Sequence, residues 1–128
     1  MPVDGMTQHS VLVVEDEDNI ALALDYLLTR EGYTHDRVAN GGEALARIHA
    51  MHPDLVLLDV MLPEMSGYEI CQAMRLDPDL AHIKILMMTA RGSAIERKKG
   101  LALGADGFIS KPFELTELRS EVRRLLEG

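Results

Sequence analysis

The chain has 128 residues, which is room for one domain and not comfortably for two. Hydrophobic residues make up 47% and charged residues 27%, so there is enough apolar side chain to offset the entropy of ordering, and a disordered chain is excluded. The balance of 13 Lys and Arg against 21 Asp and Glu gives a net charge of -8, and aromatics are 4% with no Trp; both features disfavour a nucleic-acid surface.

Residues 1–9 lack the basic-then-apolar design of a signal peptide and read as a short flexible lead, with one domain over 10–128. Val11-Leu12-Val13-Val14 is continuous and β-branched, as in a strand covered on both faces. Acidic Glu15-Asp16-Glu17-Asp18 follows; Asp18 is expected to cap the next helix, and Glu17 to be a solvated neighbour. Ile20, Leu24, Leu27 and Leu28 then recur at helical spacing, and Gly32 can end that helix. Thr34 to Val38 is a more polar strand, suited to a sheet edge. Gly41-Gly42 leads into a helix with Ala44, Leu45 and Ile48 inward, stopped before Pro53. Leu55 to Leu58 is fully apolar and ends at Asp59; a loop with Pro63 and Gly67 precedes a helix near Tyr68 to Met74. Ile83 to Met88 is another buried strand, ending at Thr89, before a charged helix with Glu96, Arg97, Lys98 and Lys99 that closes near Gly104. Gly107 to Ser110 is a short strand ending at Lys111-Pro112, and the last helix places Leu115, Leu118, Val122, Leu125 and Leu126 on one stripe.

Five strands alternating with five helices imply an α/β fold: a five-stranded parallel sheet with right-handed crossovers and helices on both faces. The polar second strand at an edge gives the order 2-1-3-4-5, the flavodoxin-like doubly wound (βα)5 arrangement. In such a sheet all strand carboxyl ends share one edge, where ligands bind. The residues just after the apolar runs are Glu15 and Asp16, then Asp59, Thr89 and Lys111. Topology therefore gathers three carboxylates, a hydroxyl and an ammonium at one place. Clustered carboxylates repel one another unless a hard divalent cation, an ammonium or both compensate, and Mg2+ suits a site of few carboxylates and several waters. Asp59 ends an apolar strand at the sheet centre, a costly place for a lone charge. Pro112 fixes the backbone beside Lys111, with the preceding peptide a candidate for cis, and a rigid turn there aims the ammonium along the sheet edge.

From about Ser10 to Leu126 the chain resembles the receiver domain of two-component response regulators. The matching stretches are Val11-Leu12-Val13-Val14-Glu15-Asp16-Glu17, Leu57-Leu58-Asp59-Val60-Met61-Leu62-Pro63 with Gly67, Met88-Thr89-Ala90, and Gly104-Ala105-Asp106-Gly107-Phe108-Ile109-Ser110-Lys111-Pro112-Phe113. The resemblance implies that Asp59 takes a phosphoryl group from a phosphohistidine on a sensor histidine kinase or histidine phosphotransfer protein. It implies Mg2+ ligation by Asp16 and Asp59, by Glu15 directly or through water, and by the backbone carbonyl of Met61. Lys111 would pair with Asp59 and then with the phosphoryl group. Thr89 would bond a phosphoryl oxygen and move, and Phe108 would turn inward as it does. The added charge would switch the helix 4–strand 5–helix 5 surface that partners read. Glu15 stands where the family often has Asp. Gly107 stands where the DNA-binding subfamily with a helix 4–strand 5–helix 5 dimer usually has Asp, which bears on any phosphorylation-linked homodimer.

Several residues have plainer readings. Arg97-Lys98-Lys99 is either a solvated helix face or a docking patch, and Arg123-Arg124 reads as favourable charge at a helix end rather than as docking residues. Met61 and Arg91 flank the site and are candidates for tuning dephosphorylation. Cys71 reads as core filler, and a single cysteine excludes an internal disulfide and fits a reducing, cytoplasmic setting. The five histidines show no metal-ligand spacing, and no apolar run approaches membrane-spanning length. The expected function is thus a phospho-switch that turns over no independent substrate. It acts on a downstream protein or on an output domain outside this chain; the end of the chain just after the last helix suits a single-domain regulator or a receiver cut from a longer one. A Mg2+-dependent phosphatase or phosphotransferase on the same fold is the alternative, but it would need a carboxylate two residues beyond Asp59, where Met61 stands. A flavin carrier is disfavoured by the acidic loop after strand 1, which repels phosphate, and by the absence of any glycine-rich phosphate motif.

Overall fold

The computed structural model describes residues 8–90 and 94–127. Its strands are β1 (Ser10–Val14), β2 (Thr34–Val38), β3 (Leu55–Asp59), β4 (Lys84–Thr89) and β5 (Gly107–Ser110). Its helices are α1 (Asp18–Arg30), α2 (Ala44–Met51), α3 (Gly67–Leu76), α4 (Ala94–Ala102) and α5 (Leu115–Glu127), with a 3-10 turn at Gly41–Glu43 ahead of α2. The strands form one parallel sheet in the order β2-β1-β3-β4-β5, the doubly wound topology that the alternation of runs implies.

The burial of each strand follows its sequence. Every residue of β3 is buried, as a continuous apolar run requires when helices cover both faces. β2 has only Val38 fully buried and lies at the edge. The sheet divides the interior in two. On one side α2 and α3 pack Ile48, Ile70, Cys71 and Met74 against Leu12, Val56, Leu58, Ile85, Met87 and Phe108. On the other, α1 and α5 pack Leu24, Leu28, Leu118 and Val122 against Val13, Leu57, Leu86, Met88 and Ile109.

Local chemistry sets the element ends. Gly32 follows α1 at φ 80, a left-handed position natural for glycine. α3 begins with a capping box: the Ser66 hydroxyl accepts from the Glu69 N–H, and the Glu69 carboxylate accepts from the Ser66 N–H. Arg75, near the end of α3, ties down two neighbouring segments. Its guanidinium donates to the carbonyls of Gly104, Ala81 and Ile83 at 2.8, 3.1 and 2.7 Å and to Asp106 Oδ2 at 2.8 Å. The same Asp106 oxygen accepts the Ile85 N–H at 2.8 Å.

Two local expectations are corrected and a third is extended. Asp18 is the first residue of α1 rather than its cap; Glu17 is the cap residue, without a side-chain cap bond, and Asp18 instead pairs with Arg37 at 3.0 Å. The opposite charge of Arg37, across the strand end, draws that carboxylate away from the helix amides. Leu115 leaves the α5 stripe and is 38% exposed, because the inward face begins only at Leu118. Arg123 and Arg124 do more than decorate a helix end: Arg123 pairs with Glu31 at 2.7 Å, joining α5 to the end of α1, and Arg124 with Glu121 at 2.8 Å.

Candidate functional site

The register of the sheet decides which polar residues meet. Val14 pairs with Leu58, so Glu15 and Asp59 emerge side by side. Asp59 pairs with Met88, which puts Thr89 one residue farther along β4. Thr89 pairs with Ser110, and the next residue of that chain is Lys111. The Lys111 N–H donates to the Thr89 carbonyl at 2.7 Å, locking the ends of β4 and β5 together. The Lys111–Pro112 peptide is cis.

Glu15 is fully buried, Asp59 is 3% exposed and Thr89 is buried, whereas Asp16 is open to solvent. One carboxylate oxygen from each of Glu15, Asp16 and Asp59 falls within a cluster no wider than 4.8 Å. Lys111 projects into this cluster with Nζ 2.8 Å from Glu15 Oε1 and 3.3 Å from Asp59 Oδ1. The ammonium therefore serves two carboxylates, and Glu15, one methylene longer than Asp, is the nearer. The other Glu15 oxygen accepts the Glu17 N–H at 3.0 Å, and Arg37 Nε donates to the Glu15 carbonyl at 3.0 Å.

Burial pushes the Asp59 carboxyl up to about 6, helped by the charge of Glu15 and opposed by Lys111 and by the Met61 N–H that donates to it at 3.4 Å. Burial alone would lower the Lys111 ammonium, but Glu15 and Asp59 outweigh it and raise its pKa. The two directions agree: the pocket holds more negative charge than a single lysine neutralises.

The β3–α3 loop leads on from Asp59. In it Met61 is 63% exposed, Glu64 takes a left-handed φ of 72, and the Gly67 N–H returns to the Val60 carbonyl at 3.0 Å. Phe108 is buried at 4% exposure, with its ring against Gly100 of α4 and the Arg97 guanidinium 6.0 Å from its centroid. Lys99 likewise lies 4.4 Å from the Tyr68 ring centre, so two of the three residues of the basic run lean over aromatic rings. Arg91 lies outside the described residues. Cys71 is buried and its thiol is pushed up by that burial, which suits a packing role. The sequence reading passed over one participant, Gly41, which it took only as the lead into α2. It packs directly against the β3–α3 loop; its place in an adjacent glycine pair was the available signal.

The donor set consists of carboxylate oxygens with one ammonium, and it fits a hard, oxygen-preferring divalent cation with open positions for water. A family model described as "Response regulator receiver domain" matches residues 11–123. The chain is 43% identical over 116 residues to the phosphate regulon transcriptional regulatory protein PhoB of Rhizobium meliloti (strain 1021), covering 91% of this chain and 51% of that one. The signal receiver domain of a signal transduction histidine kinase from Syntrophus aciditrophicus superposes with a TM-score of 0.86 at 38% identity, covering 94% and 91% of the two chains. The receiver domain of sensor histidine kinase PA1611 from Pseudomonas aeruginosa PAO1 has a TM-score of 0.86 at 26% identity, covering 94% and 99%; in that structure a magnesium ion is coordinated in the active-site cleft. The chain spans about half the length of the curated relatives it matches.

Proposed function

The chain belongs to the response regulator receiver domain family, and from that premise we propose that Asp59 is its phosphoacceptor, working with Mg2+. One observation carries this reading: a nearly buried aspartate at the centre of the sheet stands within reach of an ammonium and two further carboxylates, with one of these, Asp16, open to solvent. An Asp59 oxygen attacks the phosphorus of a phosphohistidine; the new O–P bond forms as the N–P bond breaks, and the departing imidazole keeps the electron pair and takes up a proton. Asp16, Asp59 and the Met61 carbonyl, with Glu15 directly or through water, would hold the cation, which when bound supplies positive charge to the phosphoryl oxygens. Lys111 would supply a second positive charge, and the Thr89 hydroxyl would bond a phosphoryl oxygen. Phe108, in the neighbouring strand, is the residue through which movement of Thr89 reaches α4.

The partners in this reading are a sensor histidine kinase or histidine phosphotransfer protein upstream, and a protein target or an output domain downstream. A phosphorylation-linked homodimer is compatible with it. The protein turns over no independent substrate: Met61, not a carboxylate, stands two residues past Asp59, which removes the acid/base group that a phosphatase would use. The charge of -8 opposes direct nucleic-acid binding. Among the described residues no helix is long and apolar enough to cross a membrane. The cytoplasmic setting in this reading rests on the single cysteine, which fits a reducing compartment.

Incubation with Mg2+ and a small acyl phosphate, followed by intact mass, tests the assignment. The parent gains one phosphoryl group and Asp59→Ala gains none. A gain that persists in Asp59→Ala removes Asp59 from the reaction.

A further inference from the structure

We propose that Gly41 is a positioning residue for the metal-binding loop: its bare Cα is the seat on which the β3–α3 loop rests, and a side chain there weakens Mg2+ binding without touching any ligand. The inference rests on the reading above, in which the Met61 carbonyl is a ligand.

The loop runs from Asp59 to Gly67 and is held at two places. At its far end, a Cβ on Gly67 would stand 2.3 Å from the Asp59 carbonyl oxygen and 2.9 Å from Val60 Cα. In its middle, the Gly41 N–H donates to the Pro63 carbonyl at 3.0 Å, and the same carbonyl accepts the Met65 N–H at 2.8 Å. A Cβ on Gly41 would lie 1.8 Å from the Met65 carbonyl oxygen and 2.7 Å from its carbon. These are main-chain atoms, so no rotamer change relieves the contact. The Gly41 backbone does not lie in the left-handed region, and it is space rather than conformation that calls for glycine here. Met61 lies in the short stretch between Val60, against which the Gly67 end packs, and Pro63, whose carbonyl Gly41 holds.

A carboxylate ligand can adjust through its own torsions. A main-chain carbonyl cannot; its direction is fixed by the path of the loop that carries it. Support of this kind behind a metal ligand is typically worth 10–100-fold in affinity. Gly42 provides a built-in contrast. It is exposed, and a Cβ there would meet Glu64 Oε1 at 2.0 Å, the far end of a flexible side chain that can swing away.

Calorimetric titration of Mg2+ into the parent, Gly41→Ala and Gly42→Ala tests the assignment. Gly41→Ala is expected to raise the Kd by about tenfold or more, while Gly42→Ala stays within about twofold, as for an ordinary exposed position. Equal affinity in the parent and Gly41→Ala overturns the proposal. A parent that binds no Mg2+, or whose binding survives Asp59→Asn, overturns the functional reading instead. Should Gly41→Ala not fold, hydrogen exchange of the Gly41 amide in the parent decides the matter. Loop seating and ion binding are linked, so Mg2+ should slow that amide; an unchanged rate while the Met61 amide responds overturns the proposal.

Discussion

Asp59 enters the fold as an acid with its pKa raised from 3.8 to about 6, chiefly because the strand carrying it is buried. Between those values the folded chain holds a proton that the unfolded chain has released. Stability from this group is therefore complete below the unfolded pKa and is lost as pH rises through about 6. Asp59→Asn should remove that loss, so the mutant gains on the parent by of order 1–3 kcal/mol between acid and neutral pH, read from urea midpoints without divalent cation. A difference that stays flat with pH would show that Lys111 already neutralises the group. With Asp59 as the proposed ligand, Mg2+ affinity should fall as pH drops through the same window, because the proton and the ion would compete for one carboxylate. Arg75 has the opposite character: its guanidinium makes four hydrogen bonds, and Arg75→Ala takes the cation from the Asp106 carboxylate and a donor from three carbonyls. We expect a loss of about 2–4 kcal/mol, measured by denaturant unfolding.

The elements differ in how firmly they are held. In α4 only Gly100 is buried, and Ile95 is 80% exposed. Its amides should exchange faster than those of any other helix, and those of β1 and β3 slowest. α3 is pinned from its first turn by Ser66, and Ser66→Ala should cost about 1 kcal/mol without changing Mg2+ affinity. These details were unevenly legible in the sequence. β3, β5 and the edge role of β2 followed from apolar continuity and polarity alone. The start of α1 did not, because four consecutive acidic residues offer several caps, and the choice between Glu17 and Asp18 depends on Arg37 from another strand. The Ser66–Glu69 signature was present but straddled the boundary between the segment read as loop and the helix expected near Tyr68 to Met74.

At the scale of the molecule, topology converted a list of strand-end residues into a site. The grouping of Glu15, Asp16 and Asp59 was legible because a parallel sheet leaves little freedom about where its strands end. The division of Lys111 between two carboxylates was not, since it depends on the one extra methylene of Glu15 and on side-chain reach. On the proposed reading the whole fold should also report the ion: millimolar Mg2+ should raise the melting temperature of the parent but not of Asp59→Ala, because a ligand of the native cluster and not of the unfolded chain stabilises the fold. An equal rise in both would locate the ion elsewhere. The sheet, finally, is a partition, and Phe108 and Ile109 face opposite compartments although they are joined by one peptide bond. Isotopic labels on these two side chains would thus listen to separate rooms through a shared wall. A disturbance that begins under α4 should shift the ring signal first and leave the neighbouring methyls quiet until the strand itself moves.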